Sequence, residues 1–324
     1  MALTALLKPT PRLPITRVIQ RTLSQSTRMA STHRSLSTYV VHPPELHAAL
    51  SNPPPEPSRI IPLCASWFMP NSPLTGPSVF ARSRLPSARF FDLDTIKDPH
   101  SPYPHMLPSA TDFAAAMSGL GITPQDTLVV YDSAEQGLFS APRVGWTLRV
   151  FGHPHVHLLD NFKTWVAQGY PVDDGAPDES FEKTAYPVPE LDAEKVVSFD
   201  EMRDIALAAT ASPNDAQIQI LDARGQGRWA GIDPEPRPGL SSGHIPSSLS
   251  VPVLDLLDPE TRMLLPAAKL REVFAAKGVD PSRPIISSCG TGVTAAVIDA
   301  ALEVAGYGDD SGHGKRRLFD GSWT

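Results

Sequence analysis

The chain has 324 residues, of which 41% are hydrophobic and 19% charged, so it is long enough to fold as two domains with real cores. Only two cysteines are present, which excludes a disulfide framework. No apolar run reaches the roughly 18 residues that a bilayer span needs, so we expect no membrane association. Residues 1–44 carry six basic and no acidic residues, which leaves the remainder at a formal charge of −13. Such a body should repel nucleic acid.

The first 44 residues differ in composition from the rest of the chain. They are rich in Arg, Ser and Thr and contain no Asp or Glu, which is typical of a mitochondrial transit peptide. This composition predicts a location in the mitochondrial matrix. A disordered basic tail is the alternative, and an internal start at Met29 would give a cytoplasmic form.

Strands and helices alternate along both halves. In the first half, apolar runs predict strands within 59–67, 85–94, 127–131 and 156–159, and helices are predicted at 111–117, 142–151 and 162–168. In the second half, helices are predicted at 199–210, 266–277 and 293–306, and strands at 218–221 and 284–286. We therefore place an N-terminal domain at 45–175 and a C-terminal domain at 196–324. The polar, acidic stretch 176–195 is the predicted linker.

The two halves repeat four short landmarks at nearly one offset. Leu63-Cys-Ala matches Leu221-Asp-Ala, Leu85-Pro matches Ile245-Pro, Tyr131-Asp matches Ser288-Cys, and Leu159-Asp matches Phe319-Asp, at offsets of 157 to 160 residues. Alternating strands and helices at short spacing predict an α/β unit with a parallel sheet in each half.

One stretch of the second copy carries recognisable chemistry. A short apolar strand ends in two serines, then come Cys289, Gly290 and Gly292, and a helix follows from Val293. Glycines let the backbone curl with its N–H groups pointing inward, and a helix N-terminus favours negative charge. Such a loop raises the thiolate fraction of a cysteine, which makes Cys289 a candidate nucleophile. A buried, unreactive cysteine is the alternative.

The first copy has Asp132 where the second has Cys289. A carboxylate cannot act as a thiolate nucleophile, so we expect the N-terminal copy to be non-catalytic and to contribute side chains across a domain interface. Cys64, the other cysteine, is predicted to be a buried core residue.

These motifs together resemble a known family. Cys289-Gly-Thr-Gly-Val-Thr-Ala, Asp222-Ala-Arg, Gly243-His-Ile-Pro and Phe319-Asp-Gly-Ser-Trp resemble the rhodanese superfamily, and its tandem-domain sulfurtransferases in particular. The resemblance covers the chain from about residue 55. It implies an α/β fold of two tandem rhodanese-like domains, each a parallel sheet flanked by helices.

Within the superfamily, the loop after Cys289 is similar to that of 3-mercaptopyruvate sulfurtransferases. Thiosulfate sulfurtransferases usually have cations at the positions of Gly290 and Thr291. The resemblance implies that Arg228 and Arg237 bind the substrate carboxylate and ketone, as Arg forks can. It implies that the loop contributes through the substrate-binding residues Gly290, Gly292, Val293 and Thr294.

The resemblance also assigns residues of the first domain to the site. Asp94 would orient His105, and His105 would contact Thr291, which stands where the family usually has Ser. Threonine keeps the hydroxyl but adds a methyl group. His105 as a brace for its Pro-rich loop is the alternative.

The expected reaction is a double displacement. The Cys289 thiolate takes sulfur from 3-mercaptopyruvate as a persulfide, pyruvate leaves, and the sulfur passes to cyanide or to a thiol such as thioredoxin or glutathione. No metal or other cofactor is expected. The family usually continues for about one more helix beyond Thr324, whose lack would reduce C-terminal packing.

Three alternatives share the fold. Thiosulfate could be the donor, or the chain could be a persulfide carrier that feeds tRNA thiolation. Phosphatases built on a rhodanese-like domain need a longer Cys loop ending in Arg, and here no cation follows Cys289 before the helix.

Overall fold

A computed structural model describes Met1 and residues 36–177, 181–212, 217–308 and 315–324. Most of the predicted transit peptide lies outside these residues. The first unit contains β1 (Val40–Val41), α1 (Pro43–Ser51), β2 (Ile60–Cys64), α2 (Gly76–Arg82), β3 (Arg89–Phe90), α3 (Ala110–Gly119), β4 (Thr127–Tyr131), α4 (Ala141–Val150), β5 (Val156–Leu159) and α5 (Phe162–Ala167).

The second unit repeats this alternation. It contains β6 (Val196–Val197), α6 (Phe199–Ala211), β7 (Gln219–Asp222), α7 (Gln226–Trp229), β8 (Leu249–Ser250), α8 (Ala267–Ala276), β9 (Ile285–Ser288), α9 (Ala295–Ala305) and β10 (Arg316–Phe319), with short 3-10 helices at Ala193–Lys195 and Val253–Leu256. Within the described ranges, no helix combines the length and the apolar character that crossing a membrane requires.

The two sheets have the same strand order. The first runs β1-β5-β4-β2-β3 and the second β6-β10-β9-β7-β8, and all pairs are parallel. The register is also repeated, because Cys64 pairs with Tyr131 as Asp222 pairs with Ser288. The predicted duplication and the predicted α/β fold with two parallel sheets are therefore confirmed.

Both sheets are covered on their two faces, so their central strands are apolar and buried. Helix α9 is buried along nine of its eleven residues and is rich in Ala, which suits a helix enclosed on all sides. It packs against α4 of the first unit, which is equally enclosed. This pair of helices joins the two units through a common core.

The units also exchange hydrogen bonds across their interface. The carboxylate of Asp320 accepts the Leu107 N–H at 2.9 Å, and that of Asp160 accepts the Leu264 N–H at 3.0 Å. Asp160 and Asp320 are the equivalent residues of the two copies, each directly after the last strand of its sheet. The interface therefore has an approximate two-fold relation.

Two predicted boundaries differ from the structure. Strand β1 begins at Val40, inside the segment 1–44 that composition assigned to the presequence, because a strand of two residues leaves too little pattern to detect. The predicted linker is attached to the first unit rather than free: the Tyr186 N–H donates to Ser118 Oγ, and the buried Tyr186 hydroxyl lies 2.8 Å from His153 Nδ1.

Gly145 in α4 tests how closely the start of the first unit is packed. A Cβ at Gly145 would lie 2.6 Å from the Tyr39 hydroxyl and 2.8 Å from Leu158 Cδ2, whereas a Cβ at Gly119 in α3 would meet nothing within 4 Å. Gly145→Ala should lower the free energy of unfolding by about 1–3 kcal/mol through overpacking. The control Gly119→Ala should be neutral or stabilise by up to about 1 kcal/mol. Urea denaturation measures both, and a stabilising Gly145→Ala would show that Tyr39 does not pack there.

Candidate active site

Cys289 lies at the carboxyl end of β9, where the loops of a parallel sheet converge. Its backbone N–H donates to Ser322 Oγ at 3.1 Å and its carbonyl accepts the Trp323 N–H at 3.1 Å. The Ser322 hydroxyl also lies 3.9 Å from the Cys289 sulfur. The side chain is thus held at the bottom of a cavity and is only 2% exposed.

The loop from Gly290 to Thr294 leaves its backbone donors unused. None of these five N–H groups donates a hydrogen bond within the described part of the chain. Gly292 has φ +75°, in the left-handed region that favours glycine, and this lets the loop turn toward the start of α9. Consecutive unpaired N–H groups at a helix N-terminus form a site for an anion.

A cavity of about 310 Å³ opens above Cys289 and is lined by both units. The second unit contributes the Cys289 loop, Arg228 and Arg237, and the first unit contributes an apolar wall. That wall consists of Trp67, Met69 and Phe139. A cavity of this size with an apolar wall and few cations suits a small organic anion.

The two predicted substrate arginines have different surroundings. Arg228 binds Glu235 through two hydrogen bonds, Nε–Oε1 at 3.1 Å and Nη2–Oε2 at 2.5 Å, and Glu235 also pairs with the buried Arg224. Arg237 makes no hydrogen bond or ion pair with any residue that the structure describes. Its pKa is lowered chiefly by burial, while the nearby Cys289 opposes that shift. Arg237 is thus a cation that lines the cavity and has no paired anion within the described ranges.

His105 reaches Thr291 from the first unit. Its Nδ1 lies 3.3 Å from Thr291 Oγ1, and its ring meets Trp67 edge-on with centroids 4.5 Å apart. Its Nε2 lies 3.4 Å from Asp94 Oδ1, without the geometry of a direct hydrogen bond. Asp94 instead accepts the indole N–H of Trp67 at 3.1 Å. The sequence-predicted group of Cys289, Thr291, His105 and Asp94 is therefore brought together.

His105 is almost completely buried, and this determines its charge. Burial, followed by the positive charges of Arg143, Arg237 and Lys97, lowers the pKa of His105 to about 3. The imidazole is therefore neutral near neutral pH, and one ring nitrogen can accept a proton while the other donates.

The chain is similar to several known proteins of one family. Residues 206–324 match the family described as Rhodanese-like domain. The "Probable 3-mercaptopyruvate sulfurtransferase" of Schizosaccharomyces pombe is 40% identical over 264 residues, which cover 81% of this chain and 84% of the relative. The "Thiosulfate/3-mercaptopyruvate sulfurtransferase 1, mitochondrial" of Arabidopsis thaliana is 37% identical over 304 residues, covering 90% and 76%.

Among solved structures, the Tum1 protein from Saccharomyces cerevisiae matches with a TM-score of 0.80 and 37% identity, over 89% of this chain and 94% of that one. The chain belongs to the rhodanese superfamily. It is a tandem-domain sulfurtransferase related to 3-mercaptopyruvate sulfurtransferase, so the predicted resemblance and the predicted enzyme class are confirmed.

The first unit of this sulfurtransferase fills the equivalent loop with its own carboxylate. Asp132 accepts the N–H groups of Phe139, Ser140 and Ala141 at 2.7–2.9 Å at the start of α4. Burial raises the pKa of Asp132, and these hydrogen bonds oppose the rise. The donors that remain free beside Cys289 are thus already used in the first unit. Cys64 is buried, as predicted, and burial raises its pKa to about 12.

Sequence reasoning missed Arg143 of the first unit. Its Nη2 donates to Asp320 Oδ1 and to the His105 carbonyl, both at 2.5 Å. Asp320 was visible as a landmark of the duplication, but nothing marks Arg143 in the sequence, because α4 reads as an ordinary apolar helix. Only the packing of the two units shows that it belongs to the site.

The neutral state of buried His105 predicts a pH-dependent stability. In the unfolded chain His105 binds a proton below its ordinary pKa of about 6.5, whereas in the folded enzyme it stays neutral down to about pH 3. The unfolded state therefore gains protons first, and stability falls as the pH drops through this window. Between pH 7.5 and pH 5 this one group should reduce the unfolding free energy by about 2 kcal/mol.

Urea unfolding of wild type and His105→Asn at both pH values measures how much of the loss in unfolding free energy comes from His105. The variant should lose less stability on acidification than the wild type. Equal losses in the two proteins would mean that His105 is protonated in the folded state.

Proposed function

We propose that this sulfurtransferase takes sulfur from 3-mercaptopyruvate as a persulfide on Cys289, releases pyruvate, and passes the sulfur to a thiol acceptor. The observation that carries the proposal is Arg237, which lines the same cavity as Cys289 and has no hydrogen-bond or ion-pair partner among the residues that the structure describes. A guanidinium in this state suits the carboxylate of a small keto acid.

The first half-reaction begins with attack on sulfur. The Cys289 thiolate forms an S–S bond with the thiol sulfur of 3-mercaptopyruvate, and the C–S bond breaks with its electron pair remaining on carbon. The leaving group is the enolate of pyruvate. A base in the site accepts the thiol proton of the substrate, and the enolate carbon then takes a proton to give pyruvate.

Neutral His105 supports a proton path in this step. It can accept the thiol proton through the Thr291 hydroxyl, 3.3 Å from Nδ1, and return it to the enolate. Asp94 lies 3.4 Å from Nε2 and would orient the ring and stabilise its charged form. Thr291 then serves in place of the usual serine.

The free N–H groups of the loop support the persulfide state. The terminal sulfur of the Cys289 persulfide is an anion, and the unpaired amides from Gly290 to Thr294 would surround it. In the second half-reaction an acceptor thiolate attacks this outer sulfur, forming a new persulfide and restoring the Cys289 thiolate. Thioredoxin, glutathione and cyanide are the acceptor classes we propose.

Arg228 is assigned a secondary binding role. Glu235 already holds it in two hydrogen bonds, so part of its charge is neutralised. Its Nη2 would lie 3.3 Å from a Cβ at Gly290, which places it beside the loop. We propose that Arg237 binds the substrate carboxylate and that Arg228 contacts the ketone and the loop, with Gly292, Val293 and Thr294 shaping the base of the site.

The division of labour between the units follows from the Asp132 loop. We propose that domain 45–175, extended to Val40, is non-catalytic and that 196–324 is the catalytic domain, joined by 176–195. The composition of residues 1–44 supports a mitochondrial location, and the Arabidopsis thaliana relative is named as a mitochondrial protein. Since β1 starts at Val40, removal of a presequence should leave Val40 in place, and a start at Met29 would give the cytoplasmic form.

Donor preference is the first test. Steady-state pyruvate release from 3-mercaptopyruvate should exceed thiosulfate:cyanide transfer, because no cation follows Cys289 in the loop to suit a dianion. Cys289→Ser should abolish pyruvate release. A preference for thiosulfate would overturn the proposed donor. If Cys289 accepts sulfur from a partner's persulfide but the enzyme releases no pyruvate, the carrier role would replace it.

Arg237 tests the substrate orientation. Arg237→Met removes a charged hydrogen-bonding group worth about 1.5–3 kcal/mol, so kcat/KM for 3-mercaptopyruvate should fall about 10- to 100-fold. Arg203→Met, on the exposed face of α6, is the matched control and should leave kcat/KM unchanged. An unchanged kcat/KM for Arg237→Met would remove it from the binding site.

A further inference from the structure

Arg143 connects the His105 loop of the first unit with Asp320 of the second unit. It lies in the first turn of α4, is 1% exposed, and its guanidinium faces the Trp146 ring at 4.7 Å. Its Nη2 donates to the His105 carbonyl on its own unit and to Asp320 on the other. These contacts fix the guanidinium at the junction of the two units.

The same guanidinium lies against the Cys289 loop. A Cβ at Gly292 would come within 2.7 Å of Arg143 Nη1 and 2.8 Å of the Asp320 carbonyl. Both Nη1 and Nε of Arg143 are buried and find no acceptor among the residues that the structure describes. Buried, unpaired donors cost about 1–3 kcal/mol each. Stability alone therefore gives a poor account of this arginine.

The contact with Arg143 is made at a residue with a strained backbone, His105. Its backbone has φ +64°, in the left-handed region that is unfavourable for a residue with a side chain. Arg143 donates to the carbonyl of His105. Two residues further along the chain, the Leu107 N–H donates to the Asp320 carboxylate. The Arg143–Asp320 pair therefore holds the backbone on both sides of the His105 ring.

We propose that Arg143 is a positioning residue that holds the His105 ring against the Thr291 hydroxyl, so that the first unit sets the proton path of the second unit's nucleophile. The proposal rests on the function proposed above. It does not require Arg143 to touch the substrate. Its effect on the reaction passes through His105.

A double-mutant cycle separates this role from general packing. Arg143→Met should lower kcat for pyruvate release from 3-mercaptopyruvate at least tenfold and change KM less than threefold. In a His105→Asn background the same substitution should change kcat less than threefold, because the group it positions is gone. An equal loss of kcat in both backgrounds, or an effect on KM alone, would overturn the proposal.

Two further variants protect the test against misfolding. Arg143→Met leaves the buried Asp320 carboxylate without its cation. The double variant Arg143→Met/Asp320→Asn is therefore compared with Asp320→Asn alone. Its kcat should be about tenfold lower than that of Asp320→Asn. Arg149→Met is the matched control, since Arg149 also lies on α4 and forms an ion pair across the interface, with Glu303 at 2.7 Å. Its kcat should match the wild type; a tenfold loss there would show that any broken pair across the interface gives the effect.

The outcomes distinguish the two levels of the argument. A wild-type enzyme that releases no pyruvate contradicts the proposed function. An active wild type, abolished by Cys289→Ser but with additive effects of Arg143→Met and His105→Asn, leaves the function standing and contradicts only the role of Arg143.

Discussion

The carboxylates of Asp160 and Asp320 each accept a backbone N–H from the opposite unit, and this exchange sets how the two halves meet. The Leu264–Asp160 bond is buried and the Leu107–Asp320 bond is partly buried, and both carboxylates are themselves buried, so breaking either bond costs free energy. Helices α4 and α9 fill the space between them and make the two cores continuous. The loop that carries His105 is thereby placed beside the loop that carries Cys289.

The approximate two-fold relation is broken at one place, and that place is the candidate active site. Asp320 is paired with the buried Arg143. The carboxylate of Asp160 accepts the Leu264 N–H, and burial raises the pKa of Asp160 to about 6. Asp132 accepts three N–H groups of its own loop. In the described part of the chain, no acceptor binds the N–H groups from Gly290 to Thr294. The two copies are thus similar in fold and differ in these loops.

The cavity combines features that neither unit has alone. The second unit provides the sulfur, the loop amides and the arginines, while the first provides an apolar wall and a neutral imidazole. Apolar surroundings strengthen the attraction between a guanidinium and a carboxylate. The neutrality of His105 has the same origin, since the surrounding protein excludes water and places three cations nearby.

The sequence by itself determined the repeat, a parallel sheet in each half, the longer strands and helices of the first half, α6, α8, α9, β7 and β9 of the second, and the candidate nucleophile, because apolar periodicity and the Cys-Gly-x-Gly loop are local patterns. It did not predict the short strands β1, β6 and β8, the strand β10, or the helices α1, α2 and α7. It also brought Asp94, His105, Arg228 and Arg237 forward through resemblance to a family. It could not identify Arg143, the pairing of Arg228 with Glu235, or the early start at Val40. Each of these depends on which surfaces meet in the folded chain: a lone arginine in an apolar helix has no periodic signature, and two strand residues acquire meaning only beside β5. Tertiary structure decided which charges are neutralised and which remain free for a ligand.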